Sequence, residues 1–157
     1  MTLRAFLAAI VVGLALSSPA AACTLCSCTA SASGFSFGNY DPSASSPNDT
    51  SGTVTLNCTG VVSLMGTIDI AASPGTSGDA TARQMAQGGD RLNYNLYTGS
   101  NRISIWGTGV NGTSTISATL NGLLVFSQSV TVYGRLPAHQ WVKAGAYADS
   151  IIVTITY

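Results

Sequence analysis

The sequence is poor in charged side chains and contains no glutamate. Lys143 is its single lysine, and charged residues make up 8% of the 157 residues, against about 25% in an ordinary soluble domain. Without a basic stripe, the chain has nothing with which to bind a nucleic acid or an anionic membrane. Serine, threonine, glycine and asparagine fill the polar positions, and such a surface repels neighbouring molecules weakly. The composition therefore favours an extracellular structural protein over a cytosolic enzyme.

Long apolar runs are also scarce, and the one that stands out is residues 5–16, followed by small residues. It is shorter than the ~18 apolar residues that a bilayer span requires. The pattern predicts a secretory signal peptide, residues 1–22, with cleavage after Ala20 or Ala22. The mature domain is then residues 23–157, with five basic residues against six aspartates and a net charge of −1.

Four cysteines lie in the first part of the chain: Cys23, Cys26, Cys28 and Cys58. The CTLC stretch could belong to a redox motif or a zinc site, but no helical pattern follows it to lower a thiol pKa, and the single histidine is distant. Structural disulfides are favoured in an exported chain. A Cys28–Cys58 bridge would join the first two predicted strands and, by closing a loop of ~30 residues, stabilise the fold by roughly 3 to 4 kcal/mol.

That pairing leaves Cys23 to bond with Cys26 or with a partner molecule. Lipid modification of Cys23 is a further alternative, and it is the one route by which we expect membrane attachment. Ala20 argues against it, because a lipobox normally has leucine at that position.

Short strand-like segments alternate with turn-forming residues along the mature chain, and none has a convincing helical period. About seven to eight such segments, separated by regular turn signals, are typical of an all-β sandwich or barrel. We expect a type I′ hairpin turn at Asn121-Gly122. The predicted strands are 35–38, 52–58, 61–70, 92–97, 101–106, 113–120, 123–136 and 147–157.

The C-terminal segment DSIIVTITY has the clearest alternation. Ile151, Val153, Ile155 and Tyr157 are two residues apart, as on one buried face of a strand. Burying all four is worth roughly 6 to 12 kcal/mol, which approaches the ~5 to 15 kcal/mol stability of a whole domain. What covers this face is therefore important for the fold.

No catalytic constellation is evident. His139 with Asp149 and a serine could form a triad, but no G-x-S-x-G motif is present. We predict no catalytic residue, no metal and no cofactor. Tyr94, Tyr97 or Trp106 could stack on a sugar, which gives an alternative function as a monomeric extracellular carbohydrate-binding module. The alternation in LNYNLY instead favours core positions for part of this set.

Several segments together resemble the spore coat protein U domain family, both in their amino-acid sequence and in their order along the chain. The resemblance covers nearly all of the mature chain and implies an immunoglobulin-like β-sandwich with a Cys28–Cys58 disulfide and no specific small-molecule ligand. The segments are CTASASGFSFGNYDP (28–42), VTLNC (54–58), RQM (83–85), LNYNLY (92–97), IWGTG (105–109), VYGRLPAHQ (132–140) and AGAYADSIIVTITY (144–157).

The resemblance implies a secreted, non-enzymatic subunit of a bacterial surface assembly, either a spore coat or an archaic Csu-type chaperone-usher pilus. Such a protein passes through the periplasm and ends at the cell surface or outside the cell. Its partners are a periplasmic chaperone and usher, or other subunits of the same assembly. In the pilus members the sandwich lacks its last strand, which the chaperone lends and the next subunit's N-terminal extension replaces.

The C-terminal alternating face, Ile151 to Tyr157, is therefore the expected assembly groove. The N-terminus departs from the pilus pattern. After cleavage at Ala22, residues 23–27 alone precede Cys28, and five residues reach at most ~18 Å. That is about one strand with no linker, so we expect this chain to accept a strand and not to donate one.

Overall fold

The computed structural model describes residues 26–156, which form an all-β fold of seven strands with one short 3-10 turn, Gly75–Ser77. Among these residues, none belongs to a helix long and apolar enough to cross a membrane. The predicted all-β class is confirmed. The strands are β1 (Cys26–Ala32), β2 (Asn48–Ala72), β3 (Gln84–Gln87), β4 (Asp90–Asn93), β5 (Asn95–Tyr97), β6 (Ile116–Leu136) and β7 (Val153–Thr156).

Strands β2 and β6 form one long antiparallel ribbon. β2 has 25 residues and β6 has 21, and they pair from Asn48 with Leu136 to Ile70 with Ile116. The register shifts between Thr59 and Ser63, and irregularities of this kind bend a strand pair. Side chains from both halves lie in one core cluster, so the two halves face each other as the layers of a sandwich. From β2 these side chains are Val54, Leu56, Cys58, Ile68, Ile70 and Ala72.

The predicted hairpin turn at Asn121-Gly122 is wrong. Both residues lie inside β6, where Asn121 pairs with Met65 and Gly122 with Leu64. Turn propensity is local, and pairing along the whole length of β2 overrides it. The predicted strands 35–38 and 101–106 are also wrong, because neither belongs to a strand.

The shorter strands add to the edges of this ribbon. β5 pairs with β6, and β3 pairs with β4 in a separate two-stranded sheet. β1 pairs with the first half of β2, and β7 pairs with its second half through residues 69–72. A strand has two edges, and β6 occupies one edge of β2 along both halves. β1 and β7 therefore share the other edge, and they lie on the same side of the sandwich in different layers.

The predicted Cys28–Cys58 disulfide is present. The two residues lie directly opposite each other in the pairing of β1 with β2, and Cys58 is fully buried. Cys26 is not a free thiol, but Cys23 lies outside the described residues. The Cys23–Cys26 pairing, lipidation of Cys23 and the signal peptide 1–22 therefore stay predictions.

Candidate assembly groove

An open groove lies between two parts of the chain. One side is β1 and the residues that follow it, and the other side is the segment that leads into β7. The groove consists of two clefts of about 690 and 370 Å³, which adjoin each other because they share four lining residues. We call this feature the assembly groove. The shared residues are Phe35, Phe37, Met85 and Tyr147.

The floor of the smaller cleft is the hydrophobic core itself. Val54, Leu96 and Trp106 line this cleft and are at most 1% exposed. The Trp106 indole Nε1 donates a 2.9 Å hydrogen bond to the carbonyl oxygen of Ile70, which fixes the ring in the core. The groove therefore lies directly above the core, from which partly buried side chains such as Phe35 and Val153 separate it.

The β1 wall presents small side chains. Ala30 lies opposite Leu56 and Ala32 lies opposite Val54, and directly opposed residues project to the same face of a sheet. Leu56 and Val54 are buried, yet Ala30 and Ala32 are exposed. The β1 edge is thus left uncovered on this face, with room beside the two methyl groups.

Two aromatic rings continue the floor beyond β1, and each lies over a glycine. A Cβ atom on Gly52 would lie 2.9 Å from the Phe35 ring, and one on Gly134 would lie 2.9 Å from the Phe37 ring. The Phe37 ring also meets the Tyr94 ring edge-on, with centroids 5.9 Å apart. Because glycine has no Cβ, both rings can approach the ribbon this closely.

The opposite wall is the C-terminal segment. Ile151, Val153 and Ile155 are half-buried and pack against the core, whereas Ile152 between them is 70% exposed. The predicted alternation is present for these three residues, although only 153–156 belong to a strand. Tyr157, the fourth predicted groove residue, lies outside the described residues.

Asp149 anchors this wall at the point where it approaches the core. Its Oδ1 accepts hydrogen bonds from the Thr76 amide at 2.8 Å, the Thr76 hydroxyl at 2.5 Å and the Ser150 amide at 2.8 Å. Its Oδ2 accepts one from the Tyr94 hydroxyl at 2.8 Å. Burial raises the pKa of Asp149, but these hydrogen bonds outweigh burial and hold the pKa below its usual value.

Backbone contacts hold the wall on both sides of Asp149. The Ala86 amide donates to the Ala148 carbonyl at 2.8 Å. Further along, the Ile152 amide donates to the Ser73 hydroxyl at 2.9 Å, and the Ser73 amide donates to the Ile152 carbonyl at 2.9 Å. The wall is therefore fixed to the domain by its own contacts, independently of whatever fills the groove.

Arg83 stabilises the loop that carries these contacts. It is fully buried, and its guanidinium donates to the carbonyl oxygens of Ser73 and Ala80 and to Oδ1 of Asn95. A buried guanidinium is costly unless its donors are paired. In this fold it ties the chain that follows β2 to the start of β5.

The alternative binding and catalytic interpretations do not fit this geometry. Trp106 is 0% exposed and Tyr94 is 6% exposed, so the prediction that either ring stacks on a sugar is wrong, and Tyr97 is half-buried. The Asp149 carboxylate is engaged by Thr76, Tyr94 and Ser150, whereas His139 is exposed. A triad of His139 and Asp149 is not assembled.

Within residues 26–156, the fold and the groove define a sandwich with an unpaired strand edge at β1 and β7, and comparison with known proteins gives its family. Residues 15–154 match the Spore Coat Protein U domain, and the chain belongs to that family, as the sequence predicted. The chain is 34% identical over 130 residues to Protein U of Myxococcus xanthus. The aligned region covers 77% of this chain and 70% of that protein.

A solved structure shares the fold. The chain superposes on a chain of the crystal structure of the CsuC-CsuE chaperone-tip adhesion subunit pre-assembly complex from archaic chaperone-usher Csu pili of Acinetobacter baumannii. The TM-score is 0.57 at 20% sequence identity, over 85% of this chain and 40% of that chain. This chain thus spans less than half the length of the one it resembles, and the likeness supports the predicted immunoglobulin-like sandwich.

Proposed function

We propose that this protein is an exported, non-enzymatic structural subunit of a bacterial surface assembly and that its assembly groove receives an extended segment of another chain. The observation that carries the proposal is the placement of β1 and β7 on the same edge of β2, in opposite layers, with a cleft lined by partly buried apolar side chains between them. Within residues 26–156, the outer edges of β1 and β7 pair with no further strand. An incoming segment completes the sandwich as one more strand.

The energetics support acceptance of a strand. Ile151, Val153 and Ile155 are half-buried, and full burial of such a side chain is worth about 1.5 to 3 kcal/mol. Completing the burial of all three contributes on the order of 3 kcal/mol, in addition to new backbone hydrogen bonds. Since whole domains are stable by only ~5 to 15 kcal/mol, the donor supplies a substantial part of the stability.

The proposed partners follow from the family and from the groove. A periplasmic chaperone lends a strand during export, and other subunits or an usher act later, in a spore coat or an archaic chaperone-usher pilus. The solved relative is itself in a complex of a chaperone with a tip adhesion subunit. We assign this chain the role of strand acceptor at the cell surface or outside the cell.

Paired substitutions on the two faces of β7 test the proposal. Val153 is half-buried toward the core, and Thr154 beside it is exposed. Co-expression with the dedicated periplasmic chaperone should give a soluble complex for the wild type and for Thr154→Asp, but not for Val153→Asp. Equal recovery of the complex with both variants would show that the groove is not the binding surface.

A further inference from the structure

The outer face of the layer that contains β1 is rich in hydroxyl groups. Residues directly opposite each other in neighbouring strands project to the same face of a sheet, and positions two apart along a strand share that face. The positions that alternate with the core residues therefore form one surface, which we call the hydroxyl face, and their side chains are exposed or half-buried. It consists of Ser27, Thr29 and Ser31 from β1, Thr53, Thr55 and Asn57 from β2, and Ser127, Ser129 and Thr131 from β6.

Cross-strand hydrogen bonds order this face. The hydroxyl oxygens of Thr55 and Ser129 are 2.9 Å apart, and the Ser127 hydroxyl donates to Oδ1 of Asn57 at 2.8 Å. A hydroxyl group combines one donor with two acceptor lone pairs, so a single hydrogen bond leaves it able to bond an outside partner. The hydroxyl face therefore presents ordered donors and acceptors of the kind that pair with the hydroxyls of a sugar chain.

The charged residues at one end of the hydroxyl face carry a net charge of +1. Arg135 lies opposite Asp49, and its Nε and Nη2 donate to the two Asp49 oxygens, each at 2.8 Å. The Nε of Arg102 lies 3.3 Å from Oδ1 of the same carboxylate, which thus neutralises one of two guanidinium groups. The Arg135 side chain is 38% exposed and accessible to a ligand. On the outer face of the opposite layer, β2 instead places an exposed carboxylate, Asp69.

Arg102 is held at this end by a strained backbone. Its φ is +54°, in the left-handed region that is unfavourable for a residue with a side chain, and its amide donates to the Gly99 carbonyl oxygen at 3.0 Å. Its guanidinium carbon lies 5.7 Å from the centroid of the Tyr133 ring, and Tyr133 lies opposite Tyr97. Strain of this kind is concentrated at functional sites, which points to a function for this charged end.

We propose that the hydroxyl face and its positive end bind an acidic polysaccharide, with Arg135 pairing with a sugar carboxylate and the serine and threonine hydroxyls bonding sugar hydroxyls. Charge complementarity selects an anionic chain, because the end has a net charge of +1 and the residues of the hydroxyl face carry none. The hydroxyl face lies on the opposite side of the sheet from the core, so it stays exposed when the assembly groove is filled. This inference adds a ligand to the proposed function and does not depend on strand acceptance.

Binding of a uronic acid oligosaccharide tests the inference. The probes are an oligogalacturonate and its methyl ester, which is the same sugar chain without the negative charges. The mature protein should bind the oligogalacturonate about tenfold more tightly than the ester, the scale of one hydrogen bond between charged groups. Isothermal titration measures the dissociation constants, and added salt should weaken binding of the acid more than binding of the ester.

Two matched pairs of variants locate the site. Arg135→Gln removes the exposed cation and should weaken binding of the oligogalacturonate about tenfold. Arg91→Gln is its control, because Arg91 is exposed and donates to nearby backbone carbonyls. Ser127→Glu adds a carboxylate to the hydroxyl face and should also weaken binding. Thr119→Glu adds the same group to an exposed position of the opposite layer and should leave the affinity unchanged.

Each other outcome overturns a stated part of the inference. Equal affinity for the acid and the ester overturns the class of ligand, as does equally tight binding of polyglutamate, which would indicate a general attraction for anions. Unchanged binding in either Arg135→Gln or Ser127→Glu overturns the site, and no binding of the oligogalacturonate by the wild type overturns the whole inference. Recovery of the chaperone complex tests the proposed function separately.

Discussion

The Tyr94 hydroxyl donates a 2.8 Å hydrogen bond to Oδ2 of Asp149, across 55 residues of sequence. The bond joins the floor of the assembly groove to its C-terminal wall. It places a polar contact beside Trp106 and Val54, which are fully buried or nearly so. The position of the wall therefore depends on side chains that lie inside the groove and not only on the pairing of β7 with β2.

Removal of this hydroxyl should loosen the wall. Tyr94→Phe keeps the ring but deletes the donor to Asp149, and loss of a hydrogen bond to a charged group in a largely buried site should cost about 1.5 to 3 kcal/mol of stability. Urea denaturation measures the change. Tyr147→Phe is the control, because the Tyr147 hydroxyl bonds an exposed backbone carbonyl of Lys143 and its loss should cost less than about 1 kcal/mol. Equal effects of the two variants would contradict the anchoring role.

Stability should depend on the ionisation of Asp149 at low pH. Its pKa in the folded protein is below the usual value, so its contribution is present above the unfolded-state pKa of about 4 and is lost as the pH falls through the lower, folded-state pKa. Asp41, Asp49 and Asp79 also have lowered pKa values. Comparing the pH dependence of the unfolding free energy of Asp149→Asn with that of the wild type isolates the Asp149 contribution. The variant should lose less stability on acidification, and parallel curves would argue against this assignment.

The Cys28–Cys58 bridge should be essential for the fold. The two cysteines are 30 residues apart, so replacing both with alanine should cost roughly 3 to 4 kcal/mol. Chemical denaturation under non-reducing conditions measures this loss. Peptide mapping of the purified protein should recover Cys28 linked to Cys58, and recovery of Cys28 linked to Cys26 would contradict the pairing.

The glycine under Phe37 should not tolerate a side chain. A Cβ on Gly134 would lie 2.9 Å from the Phe37 ring and 2.9 Å from the Thr50 methyl carbon, so Gly134→Ala should destabilise the protein by about 1 to 3 kcal/mol through overpacking. Gly34→Ala is the matched control, since no atom lies within 4 Å of the added carbon. Thermal unfolding of both variants checks the difference, and a similar melting temperature for the two would contradict the close packing of Phe37.

Alternation in the sequence predicted the wall of the groove because strand periodicity is a local property. Ile151, Val153 and Ile155 face the core as expected, and the burial of Leu92, Tyr94 and Leu96 follows the same pattern. The cysteine spacing likewise predicted the disulfide, although β1, the strand that carries Cys28, was not among the predicted strands.

The sequence patterns did not predict which strands pair over long distances in the chain. Asn121-Gly122 predicts a turn locally, but its pairing with Leu64 and Met65 keeps β6 continuous. The roles of Arg83 and Asp149 were also missed, because their partners, including Ser73 and Thr76, are brought close only by the folded chain. The RQM segment was recognised as a family feature, but its spacing gave no sign that the arginine is buried.

Hydrogen exchange along residues 149–156 tests strand acceptance most directly. The amides of this segment that point away from β2 and have no partner within the domain should exchange rapidly in the protein purified alone. They should become protected, together with the outward amides of β1, when the chaperone or a donor segment occupies the groove. Exchange of the β2–β6 ribbon should change much less and serves as the internal reference. Full protection of 149–156 and a single cooperative unfolding transition in the isolated protein would contradict an open, strand-accepting edge.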